Sequence, residues 1–402
     1  METAGIIAEY NPLHMGHVRL LEETRRLLGP ETAVICVMSG NFVQRGDFAL
    51  LRKHARAAAA VQSGADLVLE LPLPWAVASA ERFARGAVRT LAASGLVTRL
   101  AFGSECGESA ALERLAAALL SEDFPPLLKQ ELAQGDSFAA ARQRAAAALL
   151  SPTDAALLEQ PNNILGVEYC KELLRLNRSI RPLTVKRTGG AHDQPGTASP
   201  LPSASAIRAL LQAGETEQAL SYMAPAMAEA CREELRAGRA PVFRETCERA
   251  MLARLRTMDR ADFAALDQGR EGLGNRLYRA SRTAASLEEL LASAKTKRYA
   301  HARLRRMVLW AFLGLPPAGL PEDVPYLRPL AANAAGRALL GRMRKTAAVP
   351  VLTRPAGAGR LSPQAQALFS LEVRASDLYT LAYPDLAAAQ GGGEWREGPA
   401  ML

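Results

Sequence analysis

An α/β fold is what this chain predicts: a parallel sheet with helices on both faces, followed by a mainly helical second part. Three observations carry that expectation. Short apolar runs alternate with helix-patterned segments through the first half. The runs are set off by turn signals rich in Asn, Gly and Pro. From about Gly214 the strand signals vanish, and helical segments follow one another through Phe312. With 402 residues the chain is too long for one ordinary core. The expected division is 1–213 and 214–402.

Taken in order, Ala4 to Ala8 is a short apolar run bounded like a buried strand. Asn11-Pro12 turns the chain, and Val18 to Leu28 reads as a helix. Ala33 to Met38 is the second strand, followed by the polar loop Ser39 to Gly46. Lys53 to Ser63 is alanine-rich and helical. Asp66 to Pro72 is a third strand stopped by its proline, Ala80 to Ser94 is helical, and Arg99 to Gly103 is a fourth strand. Ser109 to Leu150 is helical, Asn162 opens another helix, and Leu183 to Arg187 is expected as the last strand of the sheet. Thr188 to Pro202 is a Gly-, Ser- and Pro-rich loop of the kind that closes over a site. Ser203 to about Ala213 is helical. In the second part, Pro316 to Pro325 reads as a linker, Leu340 to Lys345 as a basic helix, Val349 to Thr353 as a short strand, and the tail from Gln390 as frayed.

Composition bounds the function classes. Hydrophobic residues make up 49%, ample for packed cores, and the net charge of +8 permits a polyanionic partner. No run approaches the roughly 18 apolar residues of a membrane span, and the start lacks the basic and apolar regions of a secretion signal. Five scattered cysteines form no Cys-x-x-Cys pair, so neither a zinc site nor a disulfide framework is expected, and the expected compartment is the reducing cytoplasm.

In a parallel sheet ligands bind beyond the carboxyl ends of the strands. Four polar clusters fall there or at helix starts. The first is His14, Gly16 and His17, at a helix N-terminus whose unpaired N–H groups and dipole favour an anion. The second is Ser203-Ala204-Ser205-Ala206-Ile207-Arg208, read either as a helix cap with a surface arginine or as a phosphate contact. The third is Lys186-Arg187. The fourth is Ser39-Gly40-Asn41-Phe42-Val43-Gln44-Arg45-Gly46, whose amides suit a small carboxylate or a base edge if the loop is not simply structural.

His-x-Gly-His at a strand–turn–helix junction resembles the signature of the nucleotidyltransferase superfamily, and implies a Rossmann-like sheet of that type. A longer ordered set is more specific. Gly5-Ile6-Ile7-Ala8-Glu9-Tyr10-Asn11-Pro12, the Ser39–Gly46 loop, Gly64 to Pro72, Pro161-Asn162-Asn163-Ile164-Leu165-Gly166 and Ser203 to Arg208 occur in that order, and Glu271 to Arg276, Lys295 to Tyr299 and Ala375 to Tyr379 continue it. Together they resemble the bacterial tRNA(Met) cytidine acetate ligase family across nearly the whole chain. Leu13 and Met15 stand where that family often has Phe and Asn.

The resemblance implies two steps. Acetate attacks the α-phosphate of ATP, giving acetyl-adenylate and pyrophosphate; N4 of the wobble cytidine of elongator tRNA(Met) then takes the acetyl group and releases AMP. Carried over by position, ATP is expected on Ile7, Ala8, Glu9, Tyr10, Asn11, Pro12, Leu13, His14, Met15, Gly16, His17, Val18, Arg19 and Leu20, with Gly103, Asn162 (taken over Asn163) and Arg187. Ser203 and Arg208 join them as a second phosphate motif, and His14 and His17 are the catalytic pair. Ser39, Gly40, Asn41 and Gln44 are the expected substrate pocket. Mg2+ is expected on the ATP phosphates rather than in a protein cage.

The segment Lys295 to Arg306 holds six Lys/Arg and no acid. On a helix Lys295, Arg298, Arg303 and Arg306 would fall near one side, and with Lys297 they are the expected tRNA contacts, Tyr299 stacking on a base and Arg342 and Lys345 extending the footprint. No protein partner is inferred. Two other functions compete: a nucleotidyltransferase acting on a small phosphorylated metabolite, and a nucleotide-dependent RNA-binding factor without turnover.

Overall fold

The structure is a computed structural model; it describes residues 2–135, 137–176, 180–187, 202–266, 272–296, 299–315 and 323–402. Lys297, Arg298, Glu271 and most of the 188–202 and 316–325 segments lie outside the described residues.

Nine strands form. They are β1 (Thr3–Ala8), β2 (Ala33–Ser39), β3 (Phe42–Val43), β4 (Asp47–Phe48), β5 (Leu67–Leu71), β6 (Arg99–Ser104), β7 (Arg181–Lys186), β8 (Pro329–Ala332) and β9 (Ala400–Met401). Seven make one sheet in the order β7-β6-β1-β2-β5-β8-β9, and β3–β4 is a separate small hairpin. The helices that matter for the site are α1 (Met15–Leu28), α2 (Lys53–Gln62), α3 (Ala80–Ala93), α4 (Pro161–Leu176), α5 (Ala204–Gln212), α6 (Pro225–Arg236), α7 (His301–Leu313), α8 (Ala334–Thr346) and α9 (Pro363–Thr380).

Every residue of β2 and β5 is buried, as expected of parallel strands covered on both faces. Alternate side chains feed two cores. Ile35, Val37, Leu69 and Phe102 enter the layer made with α3, α4, α7 and α9. Ile6, Val34, Cys36 and Met38 enter the layer made with α1, α2, α5 and α6.

The chain builds β1, β2 and β5 in one direction, then returns to the other side of β1 with β6 and β7, all parallel. The strand order therefore reverses between β1 and β6, and the crevice at their carboxyl ends is where such sheets bind ligands.

Three expectations are corrected. Leu183–Arg187 is a strand at residues 181–186, but not the last: β8 pairs antiparallel with β5, and β9 parallel with β8. These strands are too short, four and two residues, to show a period in sequence. The Val349–Thr353 strand is reduced to one bridge between Val351 and Leu327. The tail is not frayed. Gly393–Arg396 is a helical turn, and Glu394 is buried between Lys53, at 2.7 Å, and Arg328.

Candidate nucleotide-binding site

The turn after β1 is built almost entirely from its own residues. Tyr10 sits in the left-handed region at φ 47°, rare for a residue with a side chain. Its ring is buried, and its hydroxyl meets Cys36 Sγ at 3.3 Å. His14 is the N-cap of α1. Its Nδ1 accepts from Gly16 N at 3.1 Å, while His17 Nδ1 accepts from His14 N at 3.2 Å. This is a capping box in which both side chains are imidazoles. The rings lie 4.0 Å apart, and Tyr10 meets His17 edge-on at 5.2 Å. Because Nδ1 is an acceptor in both, the neutral rings carry their protons on Nε2. The motif thus offers two N–H donors beside the helix N-terminus, which suits phosphoryl oxygens.

The turn is braced from outside. Asn11 Oδ1 accepts from Leu50 N at 2.7 Å and Arg208 Nη1 at 3.2 Å. Arg208 also holds Phe48 O and the Asp47 carboxylate, at 3.2 and 3.1 Å. Ala224 N donates to Leu13 O at 3.1 Å, closing one flank. Arg56 is fully buried and donates to Leu51 O, Glu9 O, Ser39 O and Gly40 O; burial pushes its guanidinium down to about 10. Glu9 Oε1 accepts from Gln44 N at 2.6 Å. Burial raises this carboxyl above its ordinary range, opposed by the Gln44 N–H and by Arg45, Arg56 and Arg208.

Across the crevice, Gly103 is the penultimate residue of β6, with the Arg187 side chain beside it, an added Cβ lying 3.4 Å from Arg187 Cγ. Glu105 caps α4, accepting from Asn163 N at 2.8 Å, Asn162 N at 3.2 Å and Asn162 Nδ2 at 2.6 Å. Asn163 is completely buried, and its amide is used by Ser104, Glu105, Cys106 and Gln160. Asn162 is the member of the pair that reaches the surface. The crevice therefore brings together His14, Gly16, His17, Gly103, Asn162 and Arg187 from four sequence regions.

Several expected site residues are placed otherwise. Ser39 and Asn41 are buried. Asn41 Oδ1 accepts from Lys53 N at 2.9 Å, and its Nδ2 donates to Ser376 Oγ at 3.1 Å, so its amide braces the loop while the residue lines a cavity with Lys53, Ser376 and Glu394. Gly40 is there because a Cβ would stand 2.5 Å from Glu70 Oε1. Gln44 is half-buried, and its amide Nε2 donates to Ala78 O at 3.3 Å. Ser203 caps α5 through Ala206 N at 3.3 Å, and Arg208 positions Asn11 instead of standing open to phosphate.

The basic segment is also corrected. α7 begins only at His301, so Lys295 is not on it, and Lys295 Nζ is held by Thr296 O and Tyr299 O. Tyr299 is buried under Arg303, 5.0 Å from its ring, and is closed to a base. Arg306 is buried and donates to Gln44 O at 3.4 Å. Its guanidinium joins the two halves of the chain; it does not face solvent.

The sequence reading missed Arg56 and Asp47, and the buried group Lys53, Glu70, Arg328 and Glu394. Arg56 carried a usable signal: a lone arginine in the alanine-rich apolar face of α2. The other groups meet only through the fold.

Comparison with known proteins agrees with this geometry. The family described as HIGH Nucleotidyl Transferase matches residues 1–393. A tRNA(Met) cytidine acetate ligase of Acetivibrio thermocellus is 36% identical over 414 residues, covering 99% of both chains. That of Caldicellulosiruptor saccharolyticus is 37% identical, covering 96% of this chain and 95% of its own. The crystal structure of apo Thermotoga maritima TmcAL superposes with TM-score 0.95 at 32% identity, and the form bound with alpha-thio ATP with TM-score 0.92 at 31% identity, each covering 100% of both chains. With relatives matched from end to end, and the imidazole-capped turn at the crevice where such sheets take nucleotide, the chain belongs to the tRNA(Met) cytidine acetate ligase family of HIGH nucleotidyl transferases.

Proposed function

We propose that this chain is an ATP-dependent ligase that acetylates N4 of the wobble cytidine of elongator tRNA(Met). An acetate oxygen attacks the α-phosphorus of ATP, the bond to the β-phosphate oxygen breaks, and pyrophosphate leaves. N4 then attacks the acetyl carbon, the carbon–oxygen bond to AMP breaks, and N4 gives up a proton. The observation that supports this most is the His14–Gly16–His17 capping box at the β1–β6 crevice. The Nε2–H groups and the α1 N-terminus hold phosphates and stabilise the charge that builds on them. Gly103 leaves room beside β6, and Asn162 and Arg187 face the nucleotide. Adenylation supplies the leaving group that acetate lacks, so no covalent protein nucleophile is needed.

Mg2+ belongs to this reading as a partner of the triphosphate. No group of three His, Cys, Asp or Glu able to hold a metal ion occurs among the described residues, and Mg2+ is commonly held by substrate phosphates and water. The chemistry it would supply is charge neutralisation. Residues 1–213 carry the ATP chemistry and 214–402 most of the tRNA contact, with β8 and β9 completing the sheet. No described helix is long and apolar enough to cross a membrane.

Protein, ATP, labelled acetate and bulk tRNA test the reading together. The expected result is acetate-dependent ATP–pyrophosphate exchange, and label in tRNA recovered as N4-acetylcytidine. Exchange that ignores acetate would overturn it in favour of a metabolite nucleotidyltransferase; tRNA binding without exchange would favour a non-catalytic factor.

A further inference from the structure

The chain has no Asp or Glu between Asp323 and Glu372, while Arg328, Arg337, Arg342, Arg344, Lys345, Arg354 and Arg360 fall in that interval. Arg328 is buried against Glu70 and Glu394. The other six are exposed. Arginines elsewhere are widely paired, as in Arg25–Asp66, Arg52–Glu234 and Arg142–Glu168. Among the described residues Arg342, Arg344, Lys345 and Arg354 have no carboxylate partner.

Two of these four, Arg344 and Arg354, share a groove with Arg337, whose Nη1 donates to Leu402 O at 2.8 Å. Arg337 and Arg344 stand on one wall, Thr353 and Arg354 on the other, with Pro399 from the tail; the groove measures about 610 Å³. Seven residues along α8 separate the two helix arginines by about 10.5 Å on one face. Between them sits Gly341, also lining the groove. A mid-helix glycine costs about 1 kcal/mol against alanine, and packing does not require this one, since an added Cβ would meet nothing within 4 Å. It leaves the wall bare where a ligand backbone can approach.

The groove lies away from the nucleotide crevice. α8 starts beside Asp66, where Asn333 Nδ2 donates to Asp66 Oδ1 at 2.9 Å, and ends at Ser94, whose carbonyl accepts from Thr346 Oγ1 at 2.9 Å. Asp66 and Ser94 precede β5 and β6, so α8 spans the amino ends of the strands. The crevice is at their carboxyl ends, about 20 Å away at 3.3 Å per residue. No small anion reaches both places, but a polynucleotide does.

We infer that the Arg337–Arg344–Arg354 groove is a docking site for the sugar–phosphate backbone of the tRNA, several base pairs from the reacting cytidine; this rests on the function proposed above. Arginine is suited to phosphate recognition, and unpaired cations release counterions when a polyanion binds.

The test uses the full chain and two variants, R344E/R354E and G341L. Acetate-dependent ATP–pyrophosphate exchange without tRNA is expected to stay at the wild-type rate in both. For tRNA(Met), the charge-reversal variant is expected to bind at least about tenfold more weakly, with the slope of log affinity against log salt shallower by about two. G341L keeps the charges and fills the groove, so it is expected to weaken binding while changing the slope little. An isolated anticodon stem-loop, too short to reach the groove, is expected to bind all three proteins alike. Unchanged tRNA affinity in both variants overturns the inference, as does a loss confined to anionic lipid vesicles. Wild-type protein that lacks acetate-dependent exchange would instead overturn the proposed function, while the tRNA titrations still read the groove.

Discussion

The turn after β1 and the loop after β2 leave the same edge of the sheet one strand apart, and they use their polar groups in opposite ways. After β1, the Nδ1 atoms of His14 and His17 accept within the turn, which places the protons of the neutral rings on Nε2 beside the start of α1. After β2, Asn41 bonds both Lys53 N and Ser376 Oγ, and the Ser39 and Gly40 carbonyls are taken by Arg56. Position at a strand end is therefore not enough to make a site. What decides is whether the fold has already satisfied the donors and acceptors found there.

The largest expected effect tests the support of the second loop. Glu394 lies between Lys53 and Arg328, all three buried, with Glu70 completing the group. Removing one member of a buried pair leaves uncompensated charge and costs about 3–5 kcal/mol. Glu394→Ala is expected to lose that much in urea unfolding. A loss near zero would mean that water, and not Glu394, balances Lys53 and Arg328.

Next is the turn itself. His17→Ala is expected to lower acetate-dependent ATP–pyrophosphate exchange about a hundred- to a thousandfold, the usual consequence of losing one donor to a developing oxyanion. Folding should change little, because only one capping interaction, about 1 kcal/mol, goes with it. Asn41→Ala should do the reverse. Leaving the buried Lys53 N–H unsatisfied costs about 1–3 kcal/mol of stability, with exchange near the wild-type rate. If Asn41→Ala raised the KM for acetate and left stability alone, the loop would be a substrate pocket after all and the contrast would fail.

The two loops also differ in how far sequence could reach them. His14, Gly16 and His17 are neighbours, so their strand–turn–helix context and chemistry were legible together, as were the parallel strands through β7. The loop after β2 shows polar residues of the same types, and nothing local reveals that its partners are Lys53, Glu70 and Ser376. The network reaching from Lys53 to Arg328 and Glu394 spans most of the chain, and β8 and β9 are too short to announce themselves. Lys295–Arg306 misled for a related reason. A run of cations does not say which of them the fold will bury, and Arg306 goes inward to meet Gln44.

The smallest effect expected is a pH dependence at the seam beside the second loop. His54 Nε2 lies 3.5 Å from Glu397 Oε2. Burial, with the charges of Lys53, Arg328 and Arg52 opposed by Glu394, lowers its imidazole from 6.5 to about 3. The unfolded chain takes up this proton as pH falls through 6.5, whereas the folded chain resists until about 3. The unfolded state therefore binds more protons in that window, and stability falls as pH falls. Glu394 pulls the same way, but its carboxyl is held below the ordinary 4.5 by Lys53 and Arg328 despite burial, so its contribution is lost only in more acid solution. Glu372, raised by burial and by the nearby Glu70 carboxylate to about 7, acts in the opposite sense between pH 6.5 and 5, so the histidine is read as the difference between wild type and variant. His54→Gln is expected to lose less stability than the wild type on going from pH 6.5 to 5, read as the change in urea midpoint. Parallel changes in the two proteins would show that the folded chain accepts the proton readily, and that the seam between α2 and the tail is open to water.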